Sequence, residues 1–298
     1  MRVFVTGASG FIGSAVVPEL IGAGHQVVGL ARSDASAAAL TAAGAEVHRG
    51  DLEDLDSLRA GADASDGVIH LAFIHDFSRF ENAARVDLRA VETLGSALDG
   101  TGRPFVIASG TLGLAPGRLA TEKDMPESGS LRAAAAEAAL SFASRGVRSS
   151  VVRLAPTVHG EGDHGFVPVL IATAREKGVS GYVGDGANQW PTVHRLDAAR
   201  LFRLALEKAP AGSVLHATDE EGVPVRVIAE EIGRHLGLPV ASVAPGDAGG
   251  HFGWPGTALA ADVPVSSALT RELLGWQPVG PGLVADLDEG HYFGVPSE

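Results

Sequence analysis

Gly7, Gly10 and Gly13, in the run VFVTGASGFIG, stand directly after a short apolar β-branched stretch and at the mouth of a helical pattern. Each glycine has a separate physical task in such a turn. Gly7 permits the tight reversal, Gly10 lets a diphosphate approach the backbone, and Gly13 lets helix and strand pack closely. The helix that follows offers unpaired N–H groups and a partial positive charge to an anion. Glycine is common in this chain, 39 of 298 residues, so the spacing alone is weak. The strand–turn–helix setting gives it force. The bland alternative is a glycine-rich turn with no ligand.

The rest of the first half repeats the same alternation. RVFVTG, HQVVGLA, AEVHRG, GVIHLAF, RPFVIAS and RSSVVRLAP read as strands, and helical patterns span 11–23, 83–98 and 131–144. Near-continuous apolar strands separated by helices predict a parallel sheet covered on both faces. Pro18 falls inside the first helix and removes one backbone hydrogen bond, yet the flanking FIGSAVV and ELIGAGH agree in register. After Pro156 the texture changes to glycine-rich loops (HGEGDHG, GDGANQW) and shorter elements. The fold class expected is α/β: a Rossmann-type doubly wound parallel sheet over residues 1–155, with the chain returning to it around 190–220. Residues 156–298 form mostly a smaller substrate-binding domain.

Bulk properties remove several function classes. A net charge of −13 argues against nucleic acid or an anionic membrane surface as partner. The chain has no cysteine, which excludes thiol catalysis, disulfides and cysteine-ligated zinc. The opening MRVFVTGASG holds no basic-then-apolar leader, and no apolar run reaches the roughly 18 residues needed to span a bilayer. A cytoplasmic protein is the resulting expectation. Neither a Gly-x-Ser-x-Gly elbow nor a phosphate loop ending in Gly-Lys-Ser/Thr occurs, so hydrolase and NTPase readings fall.

The end of the second strand selects the cofactor. A carboxylate there would accept from the adenosine ribose hydroxyls and favour NAD. Here VVGLARSD places Ala31 at the acidic position, followed by Arg32 and Ser33. A guanidinium and a hydroxyl suit a 2′-phosphate, so NADP(H) is preferred over NAD(H); the alternative is Arg32 as an ordinary solvated side chain. Asp51, after the third strand, is placed either to meet the adenine amino group or to cap the next helix.

These segments together resemble the short-chain dehydrogenase/reductase superfamily, in its extended or atypical branch. TGASGFIG is similar to that branch's TGxxGxxG. DL at positions 51 and 52 and VIHLAF at 68–73 resemble its adenine-side and nicotinamide-side segments. RLAPTVHG resembles the stretch after the sixth strand, with His159 where a tyrosine is usual. VGDGANQWPTVHRLDAARLFRLALE resembles the substrate-domain stretch, and LTRELLGWQP the C-terminal helix and turn. The resemblance implies that Gly7, Ser9, Gly10, Phe11, Ile12, Gly13, Leu52, Leu71, Ala72, Phe73, Ala108 and Pro156 join Arg32, Ser33 and Asp51 in holding the cofactor. It also implies that Trp190, His194 and Arg195 face the cleft, Trp190 being equally suited to packing between domains, and that helices 83–98 and 131–144 form a homodimer interface.

The same resemblance exposes a gap. The superfamily uses a hydroxyl residue, a tyrosine and a lysine as a general acid–base unit. Aligned on AAAAEAAL, the tyrosine position holds Gly129 and the lysine position Ala133; aligned on FVIASGT, the hydroxyl position holds Gly110. The only tyrosines are Tyr182 and Tyr292 and the only lysines Lys123, Lys177 and Lys208, so no Tyr-x-x-x-Lys exists at any register. Candidates to replace the dyad are Ser109, Thr111 and His159, the last with a plain loop-histidine alternative. His75, with Asp76, is a candidate substrate contact that reads equally as a solvated turn. HGEGDHG offers four metal-ligand types, but the intervening glycines leave them poorly organised, and no metal is expected. Three readings stay open. One is an NADP(H)-dependent reductase of a small organic carbonyl, quinone or imine. The second is a non-catalytic NADP(H) sensor. The third is a nucleotide-sugar epimerase or dehydratase with an atypical acid.

Overall fold

The structure, a computed structural model, describes residues 1–75, 79–126, 131–253 and 255–294. The first half alternates strand and helix: β1 (Arg2–Thr6), α1 (Gly13–Gly22), β2 (Gln26–Ala31), α2 (Asp34–Ala42), β3 (Glu46–Arg49), α3 (Leu55–Asp63), β4 (Gly67–His70), α4 (Phe80–Ala97), β5 (Pro104–Gly110), α5 (Leu131–Ser141) and β6 (Arg148–Leu154). Next come β7 (Thr157–His159), α6 (Phe166–Lys177), β8 (Ser180–Val183), β9 (Gln189–His194), α7 (Arg195–Lys208), β10 (Ser213–Ala217), β11 (Glu220–Pro224), α8 (Val225–Leu236) and β12 (Val240–Val243).

Seven strands form one parallel sheet in the order β10-β6-β5-β4-β1-β2-β3. The chain runs outward from β1 to β3, crosses back to β4, and ends the sheet at β10. The carboxyl ends of β1 and β4 therefore lie side by side at the point where strand order reverses, where ligands bind in open α/β sheets. Both faces are covered, as the uninterrupted apolar strands require. α1 and α7 bury Val16, Val17, Leu20, Leu201 and Phe202 on one face. α3, α4 and α5 bury Leu58, Val91, Leu94, Ala135 and Ala139 on the other. Each fully buried large side chain contributes roughly 1.5–3 kcal/mol.

α1 continues through Pro18, as its register predicts. Pro18 and Ser14 both stand on the exposed face, so the carbonyl that Pro18 cannot pair is open to water. The remaining strands form a three-stranded sheet, β11-β9-β7, and a β12-β8 pair. Two smaller apolar clusters fill this region, one around α6 and α8 and one around Trp190. Among the described residues no helix is long and apolar enough to cross a membrane.

Candidate cofactor and substrate cavity

A cavity of about 1050 Å³ opens at the carboxyl ends of β1 to β4 and is closed on its far side by the loop between β7 and α6. Its floor is the glycine turn. Gly7 has φ +69°, and a Cβ there would meet the backbone N of Ala72 at 2.6 Å. A Cβ on Gly13 would lie 2.1 Å from the carbonyl oxygen of Gly7. Gly10 differs: its amide donates to Gly7 O at 3.0 Å, and a Cβ would meet only that same oxygen, at 3.2 Å. The first and third glycines are thus required by close backbone approach, and the second leaves room for a ligand. The first turn of α1 leaves amides without intrahelical partners, and Phe11, Ile12 and Gly13 line the cavity with Gly7, Ser9 and Gly10.

Most of the other residues expected at a cofactor also stand on this wall: Arg32, Asp51 and Leu52 at the ends of β2 and β3, Leu71, Ala72 and Phe73 after β4, and Pro156 after β6. Asp34, the acid nearest Arg32 in sequence, is held by Arg49 at 2.6 Å. Asp51 does not cap α3, as the alternative reading had it. It accepts from the amide of Glu53 at 3.0 Å, and Asp54 caps the helix by accepting from the Ser57 amide at 3.1 Å. Ser33 and Ala108 are not part of the wall. Ser33 caps α2 by accepting from the Ser36 amide, and it is Ser36, one turn later, that lines the cavity. Ala108 packs against the core on the α1 face of the sheet.

None of the three candidates for the missing proton donor lines the cavity. Ser109 is half-buried in β5 opposite Arg153. Thr111 is buried, and its hydroxyl donates to Leu154 O at 3.3 Å. His159 is fully buried with its Nδ1 2.8 Å from Asp286 Oδ2. Strand alternation explains the last case: Val158 is on the cavity wall, so its neighbour in β7 points the other way.

Trp190 and His194, expected at the cleft, are likewise elsewhere. Trp190 is buried, donates from its indole to Ala261 O at 3.1 Å, and meets Phe166 edge-on at 4.8 Å. Phe166 lines the cavity, so Trp190 supports the wall from behind rather than facing the cleft. His194 is buried 5.5 Å from the His159 ring, and its Nδ1 accepts from the Leu196 amide. Burial, reinforced by His159, pushes its imidazole below the usual histidine range. Arg195 lies against the Phe11 ring at 5.6 Å. His194 caps α7, and Asp197, in its first turn, is buried and accepts from the amides of Val279 and Gly280 at 3.0 and 2.7 Å. His75 does line the cavity, edge-on to Phe73 at 5.4 Å; its sequence neighbour Asp76 and the tyrosine-equivalent Gly129 lie outside the described residues.

The loop between β7 and α6 supplies wall residues that the sequence did not single out for this purpose. His164 lines the cavity with its ring 5.7 Å from Phe11. Asp163 lines it too, accepting from the Gly165 amide at 2.6 Å and from the Tyr292 hydroxyl at 3.0 Å. Burial raises the Asp163 carboxyl above the usual carboxylate range against the opposing pull of those two donors. The Tyr292 hydroxyl also accepts from the Gly160 amide at 2.9 Å, and its burial pushes that phenol up as well. The ligand types of HGEGDHG are thus dispersed: His159 faces Asp286, Asp163 faces Tyr292 and His164 faces Phe11.

Residues 3–217 match the NAD dependent epimerase/dehydratase family, and the chain belongs to that family. It is 52% identical over 295 residues to an uncharacterized protein of Schizosaccharomyces pombe, covering 98% of this chain and 100% of that one. It is 31% identical over 239 residues to the 4-hydroxy-2-methyl-3-oxo-4-farnesyl-3,4-dihydroquinoline-1-oxide ketoreductase of Stigmatella aurantiaca, covering 76% of this chain and 70% of that one. Among solved structures, MoeE5 in complex with UDP-glucose and NAD superimposes with a TM-score of 0.76 at 25% identity, covering 97% and 96% of the two chains. The fold and the extended short-chain dehydrogenase/reductase resemblance are therefore established, and the chain is an NAD(P)-dependent oxidoreductase of the epimerase/dehydratase type.

Proposed function

We propose that this protein is an NADP(H)-dependent reductase of a small organic carbonyl, quinone or imine, working without the serine–tyrosine–lysine unit. The observation that carries the reading is the pairing of two features on one wall: a glycine turn closed against Ala72, and Arg32 at the end of β2 where the sequence has no acid. Asp34 meets Arg49 at 2.6 Å rather than Arg32, and a guanidinium suits a phosphate. The cradle fits a dinucleotide on its own geometry: Gly7 and Gly13 allow the turn to close on backbone, and Gly10 puts no side chain between the turn and a ligand. A cavity of about 1050 Å³ is at the upper end for one ligand, leaving space for a substrate beside the cofactor.

The cofactor supplies the hydride. This chain's part is to seat it, to orient a substrate beside Phe73, Phe166 and Val158, and to exclude water with those apolar side chains. Imidazole is the side chain suited to exchange protons at neutral pH, and His75 and His164 bring two of them to the wall. The ketoreductase name of the Stigmatella aurantiaca relative agrees with carbonyl reduction. Association as a homodimer through α4 and α5 belongs to the same proposal, and light scattering in solution tests it.

Titration with NADPH and NADH, followed by NADPH consumption against carbonyls, quinones, imines and UDP-glucose, tests the function. Oxidation of NADPH by a member of the first three classes is the expected result. Tight NADPH binding with no turnover would favour a sensor. Conversion of UDP-glucose would favour the epimerase reading.

A further inference from the structure

One buried polar chain is used by nothing described so far. Asp87 on α4, His70 at the end of β4 and Thr6 at the end of β1 are 4%, 2% and 0% exposed. His70 Nε2 is 3.1 Å from Asp87 Oδ1, and His70 Nδ1 is 2.7 Å from Thr6 Oγ1. The amide of Ala72, on the cavity wall, donates to the same Thr6 oxygen at 3.3 Å.

One direction is fixed: a backbone amide only donates, so Thr6 Oγ1 accepts from Ala72. The hydroxyl, able to donate once and accept twice, meets His70 Nδ1, and His70 Nε2 meets the Asp87 carboxyl, so the contact runs unbroken from the cavity wall to α4. Thr6 also anchors the strand end through its backbone, its carbonyl accepting from the Leu71 amide at 3.1 Å. The peptide so held is the one that closes on the glycine turn: a Cβ on Gly7 would be 2.6 Å from Ala72 N and 2.9 Å from Ala72 Cα.

We propose that Asp87, His70 and Thr6 are positioning residues for the dinucleotide site, setting the gap between the Leu71–Ala72 peptide and the glycine turn. The inference rests on the cofactor reading above. Loss of the Thr6 hydroxyl removes a partner from the half-buried Ala72 amide and from a buried imidazole nitrogen together, and unpaired groups of this kind reorganise their surroundings. The effect falls on the diphosphate end and not on the 2′-phosphate, so both nucleotides lose affinity equally.

The test compares wild type, Thr6→Val and Thr6→Ser by NADPH and NADH fluorescence titration. Amide hydrogen exchange at Ala72 and ¹⁵N imidazole spectra of His70 are recorded on the same proteins. Thr6→Val should raise both dissociation constants roughly tenfold and speed exchange at Ala72, while amides of Val3 to Val5 stay protected. Its His70 spectrum should change at Nδ1, which loses its hydroxyl partner, and Thr6→Ser should restore all three readouts. A second variant, Asp87→Ala, reports from α4 and should speed exchange at Ala72 without direct contact. Wild-type binding together with undiminished affinity in Thr6→Val would overturn this proposal alone. A wild type that binds neither nucleotide would remove the cofactor reading and this inference with it.

Discussion

The two sides of the cavity are built by different means. The side that carries the glycine turn is local: Gly7 to Gly13 are contiguous, and their geometry comes from backbone contacts within a few residues and one neighbouring strand. The side facing it is assembled from distant chain segments. Phe166 is backed by Trp190, and Asp163 is held by Tyr292, 129 positions further on. The first side depends on what is missing from each side chain, and the second on what distant side chains supply. A motif can announce the first. It cannot announce the second.

Perturbing each side in turn sharpens that contrast. Gly13→Ala should have the largest effect, because its methyl would meet Gly7 O at 2.1 Å and the Ala8 backbone at 2.7 Å. Backbone cannot yield as a side chain does, so a loss of about 4 kcal/mol, beyond ordinary overpacking, is expected in urea denaturation together with loss of nucleotide binding. An unchanged midpoint would mean the turn is looser than described. On the assembled side, Asp286→Ala removes the partner of a fully buried imidazole and should cost about 3 kcal/mol. NADPH affinity should stay as in wild type, since His159 is off the cavity wall. If stability holds and turnover falls instead, His159 belongs to the chemistry after all.

Arg32→Ala should weaken NADPH roughly tenfold, about 1.4 kcal/mol, and leave NADH unaffected. Equal loss for both nucleotides would show that Arg32 does not read a 2′-phosphate. The smallest effect is a pH dependence at Asp163. Its folded carboxyl holds a proton above the ordinary value of 3.8, so the folded state binds that proton more tightly than the unfolded chain. The associated stability is complete below about pH 4 and is lost as pH rises through the raised folded value. Measured against Asp163→Asn, the wild type should therefore lose relative stability across that window and then level off. A wild-type advantage that grows with pH would contradict the burial described here.

Much of the cavity wall around the glycine turn was legible in VFVTGASGFIG, VVGLARSD and VIHLAF, because strand, turn and helix there occur in chain order. The errors have common physical sources. Ser33 was read from position alone, but a serine before a helix serves its own N-cap, and the residue one turn on, Ser36, reaches the cavity. His159 and Val158 differ by one residue in a strand, and which of the two faces the ligand is fixed by pairing with β9. Asp197, in the first turn of α7, fastens the distant turn at Val279 and Gly280, a role no local pattern shows. His164 precedes a glycine in the loop after β7, and nothing in sequence distinguished a cavity ring there from a solvated one.

The sequence by itself determined the parallel sheet, the bare turn at its switch point and the loss of a tyrosine–lysine dyad. These follow from residue types, spacing and the count of two tyrosines and three lysines. Only the tertiary structure decided which polar groups meet the cavity and which are consumed in holding it together. That outcome depends on burial and on partners far along the chain: Asp286 for His159, Ala261 for Trp190, Tyr292 for Asp163 and Asp87 for His70. A side chain's chemistry is set by what surrounds it, and long-range neighbours are chosen by packing rather than by local pattern.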